Sequence, residues 1–139
     1  MPNNFLLHLS ELSAEPLQGQ IVRQIRAAIL TGALSDGEVI PSIRALARDV
    51  KVSVITVQRA YAALEAEGII RSRRGKGFYV KSVSAPDRQR LSLERLEEGL
   101  TPVIQAAVAE GLSSTAIRRA FIRILETTKR VKQMSSVAR

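Results

Sequence analysis

The sequence predicts a mainly α protein: a small helical domain closed by a two-stranded hairpin, followed by a short two-helix tail. Three observations predict it. Apolar residues recur at helical spacing from Leu17 to Ile29, from Ile43 to Ala47 and from Val57 to Leu64. Ser42 and Ser53 stand where the second and third of these runs need an N-cap. Arg74-Gly75-Lys76-Gly77 then separates two short runs of strand-forming residues, with glycines to supply the backbone angles of a tight hairpin.

The elements follow in order. Phe5-Leu6-Leu7-His8-Leu9 reads as a short strand or an arm. Pro16 suits a first helical turn, because its missing N–H would be unpaired there. Leu17, Ile21, Ile25, Ala28 and Ile29 give a helix over about 17–31 that Gly32 ends, and Asp36-Gly37 marks a turn. Ser42 caps a short helix with Ile43, Leu46 and Ala47 on its inner side. Ser53 caps the next, which runs to about Glu67 with Val57, Ala60, Tyr61 and Leu64 as its apolar stripe and Gly68 as its stop. Strands are expected at 69–73 and 78–81, with Ile70, Phe78 and Val80 packing back on the helices, since a lone hairpin is marginal in water.

After Ser82 a Ser-Val-Ser-Ala-Pro stretch reads as a linker. Beyond it Leu91, Leu93, Leu96, Leu100, Val103, Ile104, Ala107 and Val108 form a broad apolar face. Pro102 either kinks one long helix, the preferred reading, or begins a new one. Gly111 ends this segment. Ser113 or Ser114 caps a last helix lined by Ile117, Phe121, Ile124 and Leu125, and the pattern fades from Lys129 into an expected frayed end. The expected organisation is therefore a domain over 1–82, a helical segment over 83–130 and a flexible tail over 131–139. Two helices cannot enclose a core alone. Either they fold back on the first 80 residues or they pair with a second copy, and pairing through Leu96, Leu100, Val103, Ile104, Ala107, Ile117, Phe121, Ile124 and Leu125 is the expectation.

Composition narrows the function. The chain has 139 residues, 45% of them hydrophobic, and no cysteine, which removes disulfides, thiolate catalysis and cysteine metal sites. No apolar run reaches membrane-spanning length and Met1 to Ser10 lacks a signal-like pattern, so a cytoplasmic protein without a membrane partner is expected. His8 is the single histidine. Glu65 and Glu67, like Glu97 and Glu98, read as solvated helix charges rather than catalytic pairs. No enzyme activity, metal or other cofactor is expected.

The formal charge of +8 is uneven: residues 1–40 carry −2, residues 41–81 carry +6 and residues 82–139 carry +4. Positive charge thus concentrates in the helix-helix-hairpin segment, which favours a polyanion. A helix pair can hold its second helix in a DNA groove while a hairpin reaches the next. Ser53 serves as cap or as cap and phosphate donor, and Thr56 suits a phosphate or a thymine methyl. Gln58 suits the adenine edge, and Arg59 suits guanine or phosphate. Val54 and Ile55 either meet thymine methyls or pack on Val50 and Val52. Arg44 sits in a first helical turn where the helix dipole disfavours a cation, so an external phosphate or base is its expected partner. Arg48, one turn on, is a further phosphate candidate. At the hairpin tip Arg73, Arg74 and Lys76 repel one another, while Gly75 and Gly77 allow close backbone approach. A minor-groove visit by Arg74 or Lys76, with Arg73 on phosphates, fits that chemistry.

Three Phe and two Tyr make no stacking platform for RNA. Gly-Lys-Gly lacks the spacing and following Ser/Thr of a nucleotide phosphate loop.

Pro16-Leu17 with Gln20-Ile21, Gly32-x-Leu34, Gly37, Pro41-Ser42-x-Arg44-x-Leu46-Ala47, Val52-Ser53-x-x-Thr56-Val57-x-x-Ala60-Tyr61-x-x-Leu64-x-x-Glu67-Gly68 and Gly75-x-Gly77-x-x-Val80 together resemble the winged helix-turn-helix of GntR-family bacterial transcription regulators. The resemblance covers about residues 14–82. It implies a three-helix core with a two-stranded wing, bound as a homodimer to palindromic double-stranded operator DNA. It implies DNA contacts from Arg44, from Ser53, Val54, Ile55, Thr56 and Gln58, and from Arg74, Gly75 and Lys76 at the wing tip. Val54 stands where the family often carries Arg or another polar residue, and Gln58 where it often carries Arg, which weakens the usual guanine contacts and implies an operator richer in A·T. The short tail resembles the YtrA-type subfamily, whose members often repress transporter operons. No effector is specified by so small a tail. The rival readings are a nonspecific or architectural nucleic-acid binder and a helical interaction module with incidental charge.

Overall fold

The computed structural model describes residues 6–138 and divides after Arg90 into two compact units. Helices α1 (Leu17–Leu30), α2 (Ile43–Val50) and α3 (Val54–Ala66) and strands β1 (Val39–Ile40), β2 (Ile70–Arg73) and β3 (Gly77–Val80) make up the first unit, together with the first turns of α4 (Ala85–Ala109). The rest of α4 and α5 (Ser114–Val137) form the second.

The caps are those the serines predict. Ser42 accepts from the Ala45 N–H and Ser53 from the Thr56 N–H, each at 3.1 Å, satisfying an N–H that has no partner within the helix. Lys51 ends α2 in the left-handed region at φ 57°, the one non-glycine residue with positive φ among those described. Between the caps the apolar stripes converge. Ile21, Ile25 and Ile29 of α1, Leu46 of α2, and Val57, Ala60 and Leu64 of α3 are buried with Ile40, Ile70 and Val80 of the sheet. Each of the larger side chains contributes about 1.5–3 kcal/mol of transfer energy against the entropy of ordering the chain.

Tyr61 completes this core. Its ring meets Phe78 edge-on at 4.9 Å, and its hydroxyl donates to the Pro41 carbonyl at 2.7 Å, tying α3 to the residue just ahead of the α2 cap. Burial pushes its phenol well above the usual tyrosine range.

The wing contains one strand more than the two predicted. The order is β1-β3-β2, all antiparallel, with Val39 opposite Tyr79 and Ile40 opposite Phe78. Two residues are too few to show a strand period, so β1 exists only because β3 offers its free edge. The Val80 N–H donates to Glu38 O and the Gly37 N–H to Val80 O, both at 2.8 Å.

Two carboxylates expected to be solvated have structural partners. Glu67, just past α3, takes both Nε and Nη2 of the buried Arg26 on α1. Glu65 accepts from the Ser72 N–H of β2 at 2.9 Å. Partners 41 and seven residues apart leave no short-range sequence signal.

Residues 6–10 form an arm, and Phe5 lies outside the described residues. Gln24 bonds both N–H and carbonyl of His8 at 2.9 and 2.7 Å, and Gln20 does the same for Ser10 at 2.9 and 2.8 Å. Two amides one helical turn apart thus stand in for a neighbouring strand.

The expected boundary after residue 82 lies ahead of the division at Arg90, because Asp36 reaches past it. Asp36 accepts from Ser82 Oγ at 3.2 Å and pairs with Arg88 at 2.9 Å on the first turns of α4. Ser84 Oγ donates to Asp87 at 2.7 Å; that bond, then Arg90, holds the Asp87 carboxyl below the usual range.

Helix α4 runs unbroken through Pro102, so the one-helix reading holds. Thr101 Oγ1 donates to Glu97 O at 2.7 Å, one residue before the ring that removes a donor. Gly111 closes α4 at φ 89°, and Ser113 caps α5 by accepting from Ala116 N–H. The frayed end expected from Lys129, and the tail expected over 131–139, are replaced by helix to Val137. Adding a residue to an existing helix costs little, and Lys, Arg, Gln and Met are good helix formers. Neither α4 nor α5 buries a residue in the single chain. No helix among the described residues is long and apolar enough to cross a membrane.

Candidate nucleic-acid interface

The start of α3 is fixed on its inner side by Val57, Ala60 and Tyr61, which turns Val54, Ile55, Gln58 and Arg59 outward. Val54 and Ile55 are 46% and 59% exposed, so the core does not account for two apolar residues at the first turn. The Ser53 and Thr56 hydroxyls lie 2.7 Å apart. Thr56 is half-buried, and its hydroxyl braces the cap that Ser53 makes. Gln58 and Arg59 are exposed.

Ahead of α3, Arg44 is exposed in the first turn of α2, and no acidic group pairs with it among the described residues. Arg48 is also exposed but lies 3.3 Å from Asp49. The two arginines therefore differ: one is held by nothing internal, the other shares its charge with a neighbour.

The wing tip is the turn Arg73 to Lys76, closed by the Lys76 N–H on Arg73 O at 2.9 Å. Gly75 supplies the positive φ, 77°, that a type II turn demands at its third residue, and Gly77 follows at 75°. Arg74 and Lys76 are exposed on this turn. Arg73, expected on phosphates, also has a neighbour within the wing. Its guanidinium lies over the Tyr79 ring at 4.9 Å, a cation–π contact that fixes it on the outer face of the sheet. There Arg73, Lys76, Tyr79, Val39 and Gly37 line a hollow of about 200 Å³.

Two cations escaped the sequence reading. Lys51 lies exposed in the turn joining α2 to α3, and Arg71 stands on β2 opposite Tyr79. Strand alternation from Arg73 was the signal for Arg71; Lys51 carried none.

The residues expected to pair with a second copy line one feature of the second unit. Leu100, Val103, Ile104, Ala107, Ile117, Phe121 and Ile124 border an open groove of about 520 Å³. Leu96 and Leu125 lie outside it, 49% and 42% exposed.

Comparison with known proteins matches this architecture. The description of bacterial regulatory proteins of the gntR family matches residues 17–80. The chain is 36% identical over 75 residues to the HTH-type transcriptional repressor YtrA of Bacillus subtilis, covering 54% of this chain and 58% of that protein. It thus spans little more than half the length of that relative. A GntR family transcriptional regulator from Listeria monocytogenes superposes with TM-score 0.64 at 29% identity, over 83% of this chain and 97% of the other. YtrA from Sulfolobus acidocaldarius, a GntR-family transcription factor, does so with TM-score 0.53 at 33% identity, over 65% and 95%. With its capped helix pair, its Gly-x-Gly wing and a relative of this identity covered almost whole, the chain belongs to the GntR family of bacterial regulatory proteins.

Proposed function

We propose that the protein is a cytoplasmic, homodimeric repressor that binds a palindromic double-stranded operator and acts by steric block, with a transporter-type operon as its target. The observation that carries this reading is the pairing of an outward-facing α3 start with an exposed, basic wing tip in one compact unit. Val54, Ile55, Gln58 and Arg59 meet base edges in the major groove, with Thr56 supporting the Ser53 cap beside a phosphate. Arg44 and Arg48 hold the backbone. Arg74 and Lys76 enter the minor groove, where Gly75 and Gly77 let the wing lie close. Arg73, stacked on Tyr79, reaches the phosphates at the groove edge.

The apolar faces of α4 and α5 supply the two-fold. Leu96, Leu100, Val103, Ile104, Ala107, Ile117, Phe121, Ile124 and Leu125 gain in a dimer the burial that a single chain does not provide. A dimer presents two α3 helices to half-sites one helical turn, or a multiple of it, apart.

The test is a palindrome selected from a random DNA pool, titrated beside its scrambled sequence at one salt concentration. Specific binding tighter by about 10³ or more is expected. Equal affinities would leave an architectural binder. Absence of any salt-dependent binding would leave an interaction module with incidental charge.

A further inference from the structure

The carboxylate of Glu65 lies on the wrong side of the charge balance. Gln58, Ala62 and Glu65 follow one another at helical spacing on the outward face of α3, the face offered to DNA in the function proposed above, where a negative charge repels phosphate. Its side chain turns to the wing instead and accepts the Ser72 N–H at 2.9 Å. Strand β2 is the outer edge of the sheet, so its outward N–H groups have no strand to donate to. Ser72 sits opposite Phe78 and two residues before Arg74. The bond therefore grips the wing nearer its tip than the buried Ile70 and Val80 do. A charged acceptor makes it stronger than an ordinary amide bond.

From this geometry we infer that Glu65 is a positioning residue that latches the wing to the recognition helix and so sets the minor-groove contacts in register with the major-groove ones. The inference rests on the DNA-binding reading. Losing the latch frees the wing to swing, and part of the binding energy of Arg74 and Lys76 goes into ordering it again. The latch outweighs the repulsion of one exposed carboxylate because that repulsion is screened within about a Debye length of solvent.

The experiment has two arms. In the free protein, amide exchange at Ser72 accelerates in Glu65→Ala and stays slow in Glu65→Gln, whose side-chain oxygen still accepts. On the selected palindrome, Glu65→Ala weakens binding about tenfold, Glu65→Gln binds as the wild type or tighter, and Glu65→Ala adds no loss to an Arg74→Ala/Lys76→Ala double variant. The inference is overturned by unchanged Ser72 exchange in Glu65→Ala, by Glu65→Gln behaving like Glu65→Ala on DNA, or by an equal loss in both backgrounds. A wild-type chain without specific DNA binding would overturn the proposed function and the positioning role together, and the exchange arm would still report the bond itself.

Discussion

Replacing Arg44 with Ala should weaken DNA affinity without lowering stability. The guanidinium is exposed in the first turn of α2, next to the Ser42 cap, and no acidic group pairs with it among the described residues. The N-terminal end of a helix dipole disfavours a cation there, so its removal should leave folding stability unchanged or raise it by about 0.3–1 kcal/mol. Alanine is also the better helix former. In the proposed operator complex, one phosphate contact per protomer disappears. The slope of log affinity against log salt should then fall in magnitude by about 0.9 per protomer, or about 1.8 for the dimer. Sequence preference should not change, because a phosphate carries no base information. Thermal melting and fluorescence anisotropy across a salt series read the two effects separately. Arg48→Ala is the internal control: Arg48 lies 3.3 Å from Asp49, so less free charge is lost and its slope change should be smaller. An unchanged salt slope in Arg44→Ala, with the protein folded, would refute the reasoning.

Tyr61→Phe removes the donor to Pro41 O and leaves that carbonyl without its partner, which should cost about 1–2 kcal/mol near neutral pH, measurable by urea titration. Because burial raises the Tyr61 pKa above its unfolded value of about 10, its neutral form stabilises the fold fully below that pH, and the contribution is lost as pH climbs from there toward the folded value. The wild type should therefore lose stability above pH ~10 more steeply than Tyr61→Phe, and parallel alkaline limbs would contradict this. Phe121→Asp places a charge in the apolar groove of α4 and α5 and should convert the proposed dimer to monomer in sedimentation while the first unit keeps its melting transition; an intact dimer would move the interface elsewhere. Gln58→Ala should change which bases are selected at one or two operator positions, at about 1–3 kcal/mol each, whereas a uniform loss across sequences would make Gln58 a backbone contact.

What was legible in the sequence is local. Ser42 and Ser53 place the starts of α2 and α3, and Gly68 places the end of α3, to within a residue or two, because capping depends on neighbours three or four positions away. Arg44 was marked by a cation in the wrong turn of a helix, and the wing tip by Gly-x-Gly between basic residues. Residues whose role lies with a distant partner gave no such sign. Glu65 and Glu67 read as solvent charges until the wing and α1 came up beside them. The stacking of Arg73 on Tyr79, six residues on, gave no sign either.

By itself the sequence determined the order of helices, caps and hairpin, the concentration of positive charge over residues 41–81, and the family motif that unites them. Only the tertiary structure decided that Val39 and Ile40 become a third strand, that Asp36 draws the first turns of α4 into the first unit, and that Val54 and Ile55 stay exposed. The physical reason is range. Helix periods and caps are set by interactions within one turn, whereas strand edges, ion pairs and exposure depend on which surfaces meet once the chain has folded.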